Sequence, residues 1–396
     1  MWLLLQALDT QFYRDGRPFD AGTMSLWASS VFPPYPRTIY GGFRTAILAR
    51  NSPHMNIRSI TEDVKRVIGD QDGFGSLTIR GPVPASSSAD EMTFDFFFPC
   101  PRDLLQEKDG NEFLLVEPQD KDGQLTKFSN LAEPGVLPCL SSKPDALEEC
   151  ASKLLNLAQM GSYLQGEAMK PKEADSLFRR EERLGIGLNY ISRTASNRLL
   201  YNTAHVRMIE GDEMNGGLLV EVDDITHSGL LNSINELRLG GEGRVLRCRE
   251  ISGINWTGMR EAVKKKILDK GRFKFYLVTP GLFSGWYPDF LKTNGAVLEG
   301  EIPDSSFKVS LMGACVGRSI PIGGFDIARG CPKPIERAVP AGSVYFLRFS
   351  DWDSWDQNTK ELSAEQLVNN LFFRPLKAQD GEAWKEGFGT LLIGGW

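Results

Sequence analysis

Arginine and aromatic side chains are interleaved near the start of this chain. Arg14, Arg17, Arg37, Arg44 and Arg50 lie between positions 11 and 50, against only Asp15 and Asp20. Phe12, Tyr13, Phe19, Trp27, Phe32, Tyr35, Tyr40 and Phe43 occur among them. Guanidinium groups bind phosphate bidentately, and aromatic faces stack on unpaired bases. Gly41-Gly42 sits in an expected first helix turn, where backbone can approach a ligand closely. The pattern therefore predicts a grip on single-stranded nucleic acid through Arg14, Arg17, Arg37, Tyr40, Gly41, Gly42 and Arg44. Asp15-Gly16 with Pro18 is also an ordinary β-turn signal, but a plain turn leaves the flanking arginines unexplained.

Two further stretches join this set. Arg183 and Arg193 lie in RLGIGLNYISRTASNRLLY, which reads either as an exposed hairpin or as an arm touching RNA or a neighbouring subunit. Gly387 and Gly389 lie in the ending GFGTLLIGGW, where glycines serve a tight hairpin or let amides line a phosphate.

Catalytic and metal chemistry find less support. Only His54, His205 and His227 are present, and none has a partner at fixed spacing. Cys100, Cys139, Cys150, Cys248, Cys315 and Cys331 form no C-x-x-C, so no structural zinc is expected. Asp351, Asp353 and Asp356 are spaced like a calcium loop, but the required Gly and terminal Glu are misplaced. The adjacent pairs Glu148-Glu149 and Asp223-Asp224 point apart on a helix or strand. No Walker A motif, nucleophile elbow or H-E-x-x-H occurs, and no cofactor is expected.

The net charge of −6 argues against nucleic acid until its distribution is read. Residues 102–182 carry 16 acidic and 10 basic side chains, so this segment accounts for the whole excess (10 − 16 = −6). No acid occurs from 183 to 209, and residues 238–274 carry 11 basic against 4 acidic side chains. Basic strips on a nearly neutral background suit a short gripped strand. No apolar run reaches about 18 residues, so no membrane association is expected. MWLLLQAL reads as a buried first strand, and with unpaired thiols the expected location is cytoplasmic.

The elements that must hold these residues follow from periodicity. Met1–Leu8, Ser76–Gly81, Met92–Phe98, Arg244–Ile251, Arg272–Thr279, Phe307–Val316 and Ser343–Phe349 read as strands. Arg198–Ile209 and Gly217–Val222 read as a strand pair, and Ala85–Ala89 as a Ser-rich loop. Helices are expected from Thr38, as N-cap, to about Ala49, then over Asp145–Gln165, Leu230–Leu239, Met259–Lys270 and Ser363–Phe372. At 396 residues two domains are expected, in an α+β architecture.

FYRDGRPFDAG followed by FPPYPRTIYGGFR resembles the N-terminal signature of a RAMP family, that of the third Cmr subunit, which caps type III-B (Cmr) CRISPR effector complexes. RLGIGLN…RLLYNTAHVR, LGGEGRVLRCRE, FYLVTPGLFSGWYPDF, GRSIPIGGFDI…PKPIERAVPAGSVYF and GFGTLLIGGW agree in order, while residues 100–180 carry little of the resemblance. It implies two ferredoxin-like (RRM-like) domains, over 1–180 with an acidic insertion at about 101–180, and over 181–396. It implies a non-catalytic subunit that holds the 5′ handle of CRISPR RNA (crRNA) in antiviral defence. Its implied neighbours are the large polymerase/cyclase-like Cmr subunit and the first Cmr backbone RAMP subunit. Arg14, Arg17, Arg37, Tyr40, Gly41, Gly42 and Arg44 match the family's opening motif, and Gly387 and Gly389 its terminal loop. The competing reading is a RAMP-type, metal-independent crRNA-processing endoribonuclease, with His205 and Tyr201 as its acid–base candidates.

Overall fold

The computed structural model describes residues 1–396 except 16–26, 53–59, 89–92, 109, 111, 120–138, 141–146, 175–176, 190, 210–213, 225–227, 233, 295–296, 327–328 and 378–380. Among the described residues, antiparallel sheets combine with five α-helices: α1 Pro36–Asn51, α2 Glu62–Ile68, α3 Leu157–Leu164, α4 Thr257–Lys270 and α5 Gln357–Leu371. This is the expected α+β class. None of these helices is long and apolar enough to cross a membrane.

The chain divides into two compact units that interleave along the sequence. The first comprises Met1–Phe96, Asp175–Gly253 and Pro321–Arg337. The second comprises Phe97–Ala174, Ile254–Ile320 and Ala338–Trp396.

In the first unit, strand Trp2–Ala7 is central. It pairs antiparallel with Met214–Asp224 on one side and with Arg244–Ile251 on the other. Leu77–Ser88 extends the sheet beyond Met214–Asp224, and Glu236–Leu239 extends it beyond Arg244–Ile251. The alternation of side chains along a strand places Leu3 and Leu5 on one face, in a core with Leu218, Val220 and Leu246. Helix α1 covers this face with Ile39, Tyr40, Phe43, Ile47 and Leu48, the i, i+4, i+8 stripe of an amphipathic helix. A second sheet is a long antiparallel ribbon of Phe178–Leu188 and Ala195–Met208, joined at its middle, in parallel, by Trp27–Ser29.

In the second unit, Arg272–Leu277 lies between Val344–Phe349 and Thr390–Gly395 in a seven-stranded sheet. Its core holds Phe273, Phe275, Tyr276, Phe346 and Phe349. Lys274 and Asp103 are also buried there, as an ion pair at 3.1 Å.

Several local expectations give way. Helix α1 begins at Pro36, with Tyr35 rather than Thr38 as its N-cap. Proline at the first helical position has a preset φ and needs no N–H partner, so the Pro-rich approach runs straight into the helix. Asp145–Gln165 is not one helix. Leu147–Glu149 and Lys153–Asn156 are strands, and only Leu157–Leu164 is helical, started by an Asn156–Gln159 capping box. Leu230–Leu239 ends in the strand Glu236–Leu239, because the edge of Arg244–Ile251 offers a ladder there. Ala85–Ser88 continues a strand, paired to Met214–Gly217. Residues 198–209 pair with Phe178–Leu188, whereas Met214–Asp224 pairs with Leu77–Ser88 and Trp2–Ala7.

Candidate nucleic-acid interface

Helix α1 assigns opposite tasks to the neighbouring residues of Tyr40-Gly41-Gly42. A β-carbon on Gly42 would stand 2.1 Å from Leu239 Cδ2, so this glycine lets α1 settle onto the Glu236–Leu239 strand. A β-carbon on Gly41 would meet nothing within 4 Å. Gly41 is therefore the glycine that leaves backbone open on the outer side. Tyr40 is 1% exposed and packs on Phe74, with ring centroids 5.7 Å apart. It is a core residue and offers no free face for a base. Arg44 lies over the Tyr40 ring at 5.9 Å and donates from Nη2 to the Asp70 carbonyl at 2.9 Å. It braces the turn from Gly69 to Gly75.

Most described aromatics of the opening segment share this fate. Phe12, Tyr13 and Phe43 are buried, and Phe32 packs at a tilt against Phe178, with ring centroids 4.2 Å apart. Arg14 is exposed and bridges to Ser30. Arg17 lies outside the described residues.

Arg37 is at the mouth of α1. The first turn has no side-chain cap and no acidic residue of its own, so the positive end of the helix dipole adds to the charge of Arg37. The Arg37 guanidinium meets Glu336 at 2.8 Å. Its stem lies against Gly324, where an added β-carbon would come within 3.1 Å of Arg37 Cδ and 3.3 Å of Lys333 Cδ. Gly324 opens a small hairpin of Phe325–Asp326 and Cys331–Pro332. The Lys333 N–H donates to the Gly324 carbonyl at 2.9 Å and closes it. Phe325 is 59% exposed at this hairpin, and Arg329 meets Asp72 at 3.0 Å. An exposed aromatic ring, an arginine, a lysine and an uncapped helix start thus come together. Such a group can stack a base and hold phosphates.

Sequence reasoning passed over Phe325, Arg329 and Lys333. The signal was present: Gly-Gly-Phe occurs at 41–43 and again at 323–325, the second time followed by Arg329, Lys333 and Arg337.

The ribbon holds the other arginines apart. Arg183 donates twice to Glu181 Oε1, at 2.9 and 2.6 Å, and Arg207 donates to Glu181 Oε2 at 2.6 Å. The Arg207 and Arg183 hydrogen bonds hold the Glu181 carboxyl down at about 2. Arg193 is exposed in the connecting turn at φ +53°. The strand rise separates Arg183 from Asn189, where that turn begins, by about 20 Å. Gly387 and Gly389 lie in the second unit, both buried and both left-handed, at φ +95° and +72°. The Gly387 N–H donates to Trp384 and the Gly389 N–H to Pro280, so neither amide faces outward for a phosphate.

His205 is 1% exposed and stacks on Phe12 at 5.0 Å. Its Nδ1 is 3.5 Å from Thr10 Oγ1, and its Nε2 is 3.8 Å from Glu242. Burial pulls its pKa down, against the opposing pull of Glu242. Tyr201 lies four residues away on the same strand, about 13 Å along it. His54 and His227 lie outside the described residues. Among the described residues no cluster of His, Cys, Asp or Glu is arranged to hold a metal ion.

A family model described as CRISPR-associated protein (Cas_Cmr3) matches residues 3–396. Among solved structures, the chain is similar to a chain of "Cryo-EM structure of the Type III-B Cmr-beta bound to cognate target RNA", at 16% identity and a TM-score of 0.46, covering 99% of this chain and 96% of that one. It is also similar to a chain of the same assembly bound to cognate target RNA and AMPPnP, state 1, at 17% identity and a TM-score of 0.45, covering 87% and 86%. No curated protein matches.

Proposed function

The chain belongs to the Cas_Cmr3 family of CRISPR-associated proteins, and from that premise we propose that it is a subunit of a type III-B (Cmr) RNA-guided effector complex. In this reading it holds the 5′ handle of crRNA and joins the large polymerase/cyclase-like subunit to the first backbone RAMP subunit. Each sheet with its helices is read as an elaborated ferredoxin-like domain.

The observation that carries the reading is the contact of Arg37 with the Gly324 hairpin at the uncapped start of α1. Phe325 supplies a stacking face, while Lys333 and the helix dipole supply positive potential. RNA handles are read as splayed single strands by such stacking and backbone contacts. Gly41 leaves room for the strand to pass close to the helix. The arginines already tied to acids, Arg37 among them, serve by exchanging one anion for another.

The subunit is read as non-catalytic. An acid–base pair of His205 and Tyr201 would need both groups at one scissile phosphate, and here the histidine is buried and the tyrosine is about 13 Å along the strand.

The test is binding of a labelled single-stranded RNA carrying the cognate handle, read by anisotropy. Phe325→Ala with Lys333→Ala lowers affinity and leaves the thermal melt unchanged. Equal affinity of this variant and the parent overturns the site. Specific cleavage of repeat RNA in EDTA, lost in His205→Ala, overturns the non-catalytic reading.

A further inference from the structure

The second unit carries a basic strip that plays no part in the handle site. Helix α4 exposes Lys265, Lys266 and Lys270, and the chain turns at Gly271, in the left-handed conformation, directly into the strand that begins with Arg272. Arg272 pairs in register with Arg348 on the neighbouring strand, so two guanidinium groups share one face of the sheet. Like charges directly opposite each other in an antiparallel pair are destabilising. The arrangement is compensated only in part. Arg272 lies over the Trp396 ring at 4.9 Å, and Arg348 meets Asp353, itself 82% exposed, at 2.7 Å. So exposed an acid screens little.

Two shallow depressions, of about 380 and 330 Å³, adjoin along this strip and share Asp269. Lys265 and Lys266 line the first, and Lys270, Arg272 and Arg348 the second. Five cations thus face three acids, Glu261, Asp269 and Asp353. Lys266 and Lys270 are one helix turn apart, about 6 Å, and Arg272 and Arg348 about 5 Å apart as backbone neighbours. That repeated positive spacing suits a chain of phosphates.

The walls decide between the two kinds of polyanion. Protein interfaces centre on an apolar core with anchoring side chains in pockets. Here Ala262 and Trp352 are the apolar side chains in the lining, and Trp352 is 4% exposed. Nucleic-acid interfaces are instead polar and strongly positive.

We propose that Lys265, Lys266, Lys270, Arg272 and Arg348 form a second RNA-backbone contact, independent of base sequence and separate from the Arg37–Phe325 site. It rests on the reading that RNA is this chain's ligand. Binding of the full chain to a 20-nucleotide oligouridine is measured by anisotropy at several salt concentrations. Lys265→Ala/Lys266→Ala and Arg272→Gln/Arg348→Gln each weaken binding several-fold and lower the salt slope by about one for every phosphate left without its cation. Lys170→Ala, an exposed lysine of the same unit outside the strip, leaves both unchanged, and circular dichroism verifies the fold of each variant.

Unchanged affinity and slope in both strip variants, with binding lost in Phe325→Ala/Lys333→Ala, overturns the strip and leaves the first site standing. Affinity unchanged in all three variants overturns both. Displacement of the oligouridine by polyglutamate of equal charge, at equal concentration, overturns the strip as an RNA site and assigns it to an acidic protein.

Discussion

Gly42 and Leu239 meet so closely that no larger residue fits at 42 while α1 keeps its place on the sheet. The added β-carbon would stand 2.1 Å from Leu239 Cδ2, and Leu239 is itself 2% exposed, with little room to swing away. One residue earlier the same change meets open space. Gly42→Ala is therefore expected to be less stable than Gly41→Ala by about 1–3 kcal/mol, the usual cost of overpacking. Gly41→Ala alone gains up to about 1 kcal/mol from helix propensity. Chemical denaturation of the two variants gives the comparison, and equal midpoints would refute the division of labour.

Phe325 is expected to act through its ring. Phe325→Ala weakens binding of single-stranded RNA by about 1–3 kcal/mol if one base stacks there. Phe325→Tyr and Phe325→Trp retain it, whereas Phe325→Leu does not. Loss of affinity in the aromatic variants as well would argue against stacking.

His205 should make stability fall in mild acid. Burial holds its folded pKa below the ordinary 6.5. As pH drops through 6.5, the unfolded chain takes up a proton that the folded chain refuses, so stability is lost until the folded pKa is reached. While only the unfolded state takes up that proton, the slope approaches about 1.4 kcal/mol per pH unit. His205→Gln removes this part of the slope between pH 6.5 and 5. A parent and variant with identical pH profiles would contradict the assignment.

Lys274 and Asp103 hold the second unit together as a buried pair. Lys274 Nζ lies 3.1 Å from Asp103 Oδ2 and 3.6 Å from the Tyr163 ring centre, while Tyr163 donates to Asp103 Oδ1 at 2.7 Å. Asp103→Ala leaves an ammonium group buried with no counter-charge and should cost about 3–5 kcal/mol. Asp103→Leu combined with Lys274→Met should recover much of that loss. Thermal unfolding of the single and double variants tests the coupling, and additive effects would exclude it.

Periodicity alone made much of the fold legible. Arg244–Ile251 forms the strand expected of it, and α4 extends only two residues beyond its expected start. These segments have one pattern and one use for it, so local preference and burial agree. Segments whose structure depends on an edge offered by another strand were illegible. Glu236–Leu239 is a strand because Arg244–Ile251 lies beside it, and Ala85–Ser88 is one because Met214–Gly217 pairs with it. The charge excess of residues 102–182 and the family's motifs were likewise present in the order of residues.

The tripeptide Gly-Gly-Phe marks where that reading ends. At 41–43 it lies in a helix packed on a sheet, and Phe43 is fully buried. At 323–325 it opens a surface hairpin, and Phe325 is 59% exposed. Residue types determine that such a segment can pack closely or stack a base. Which of the two occurs depends on whether another element covers the ring, and that is decided by contacts far apart in sequence. For the same reason Tyr40 and Gly42 serve the core, Arg44 braces a turn, and Arg37 meets a loop some 290 residues further on (324 − 37 = 287).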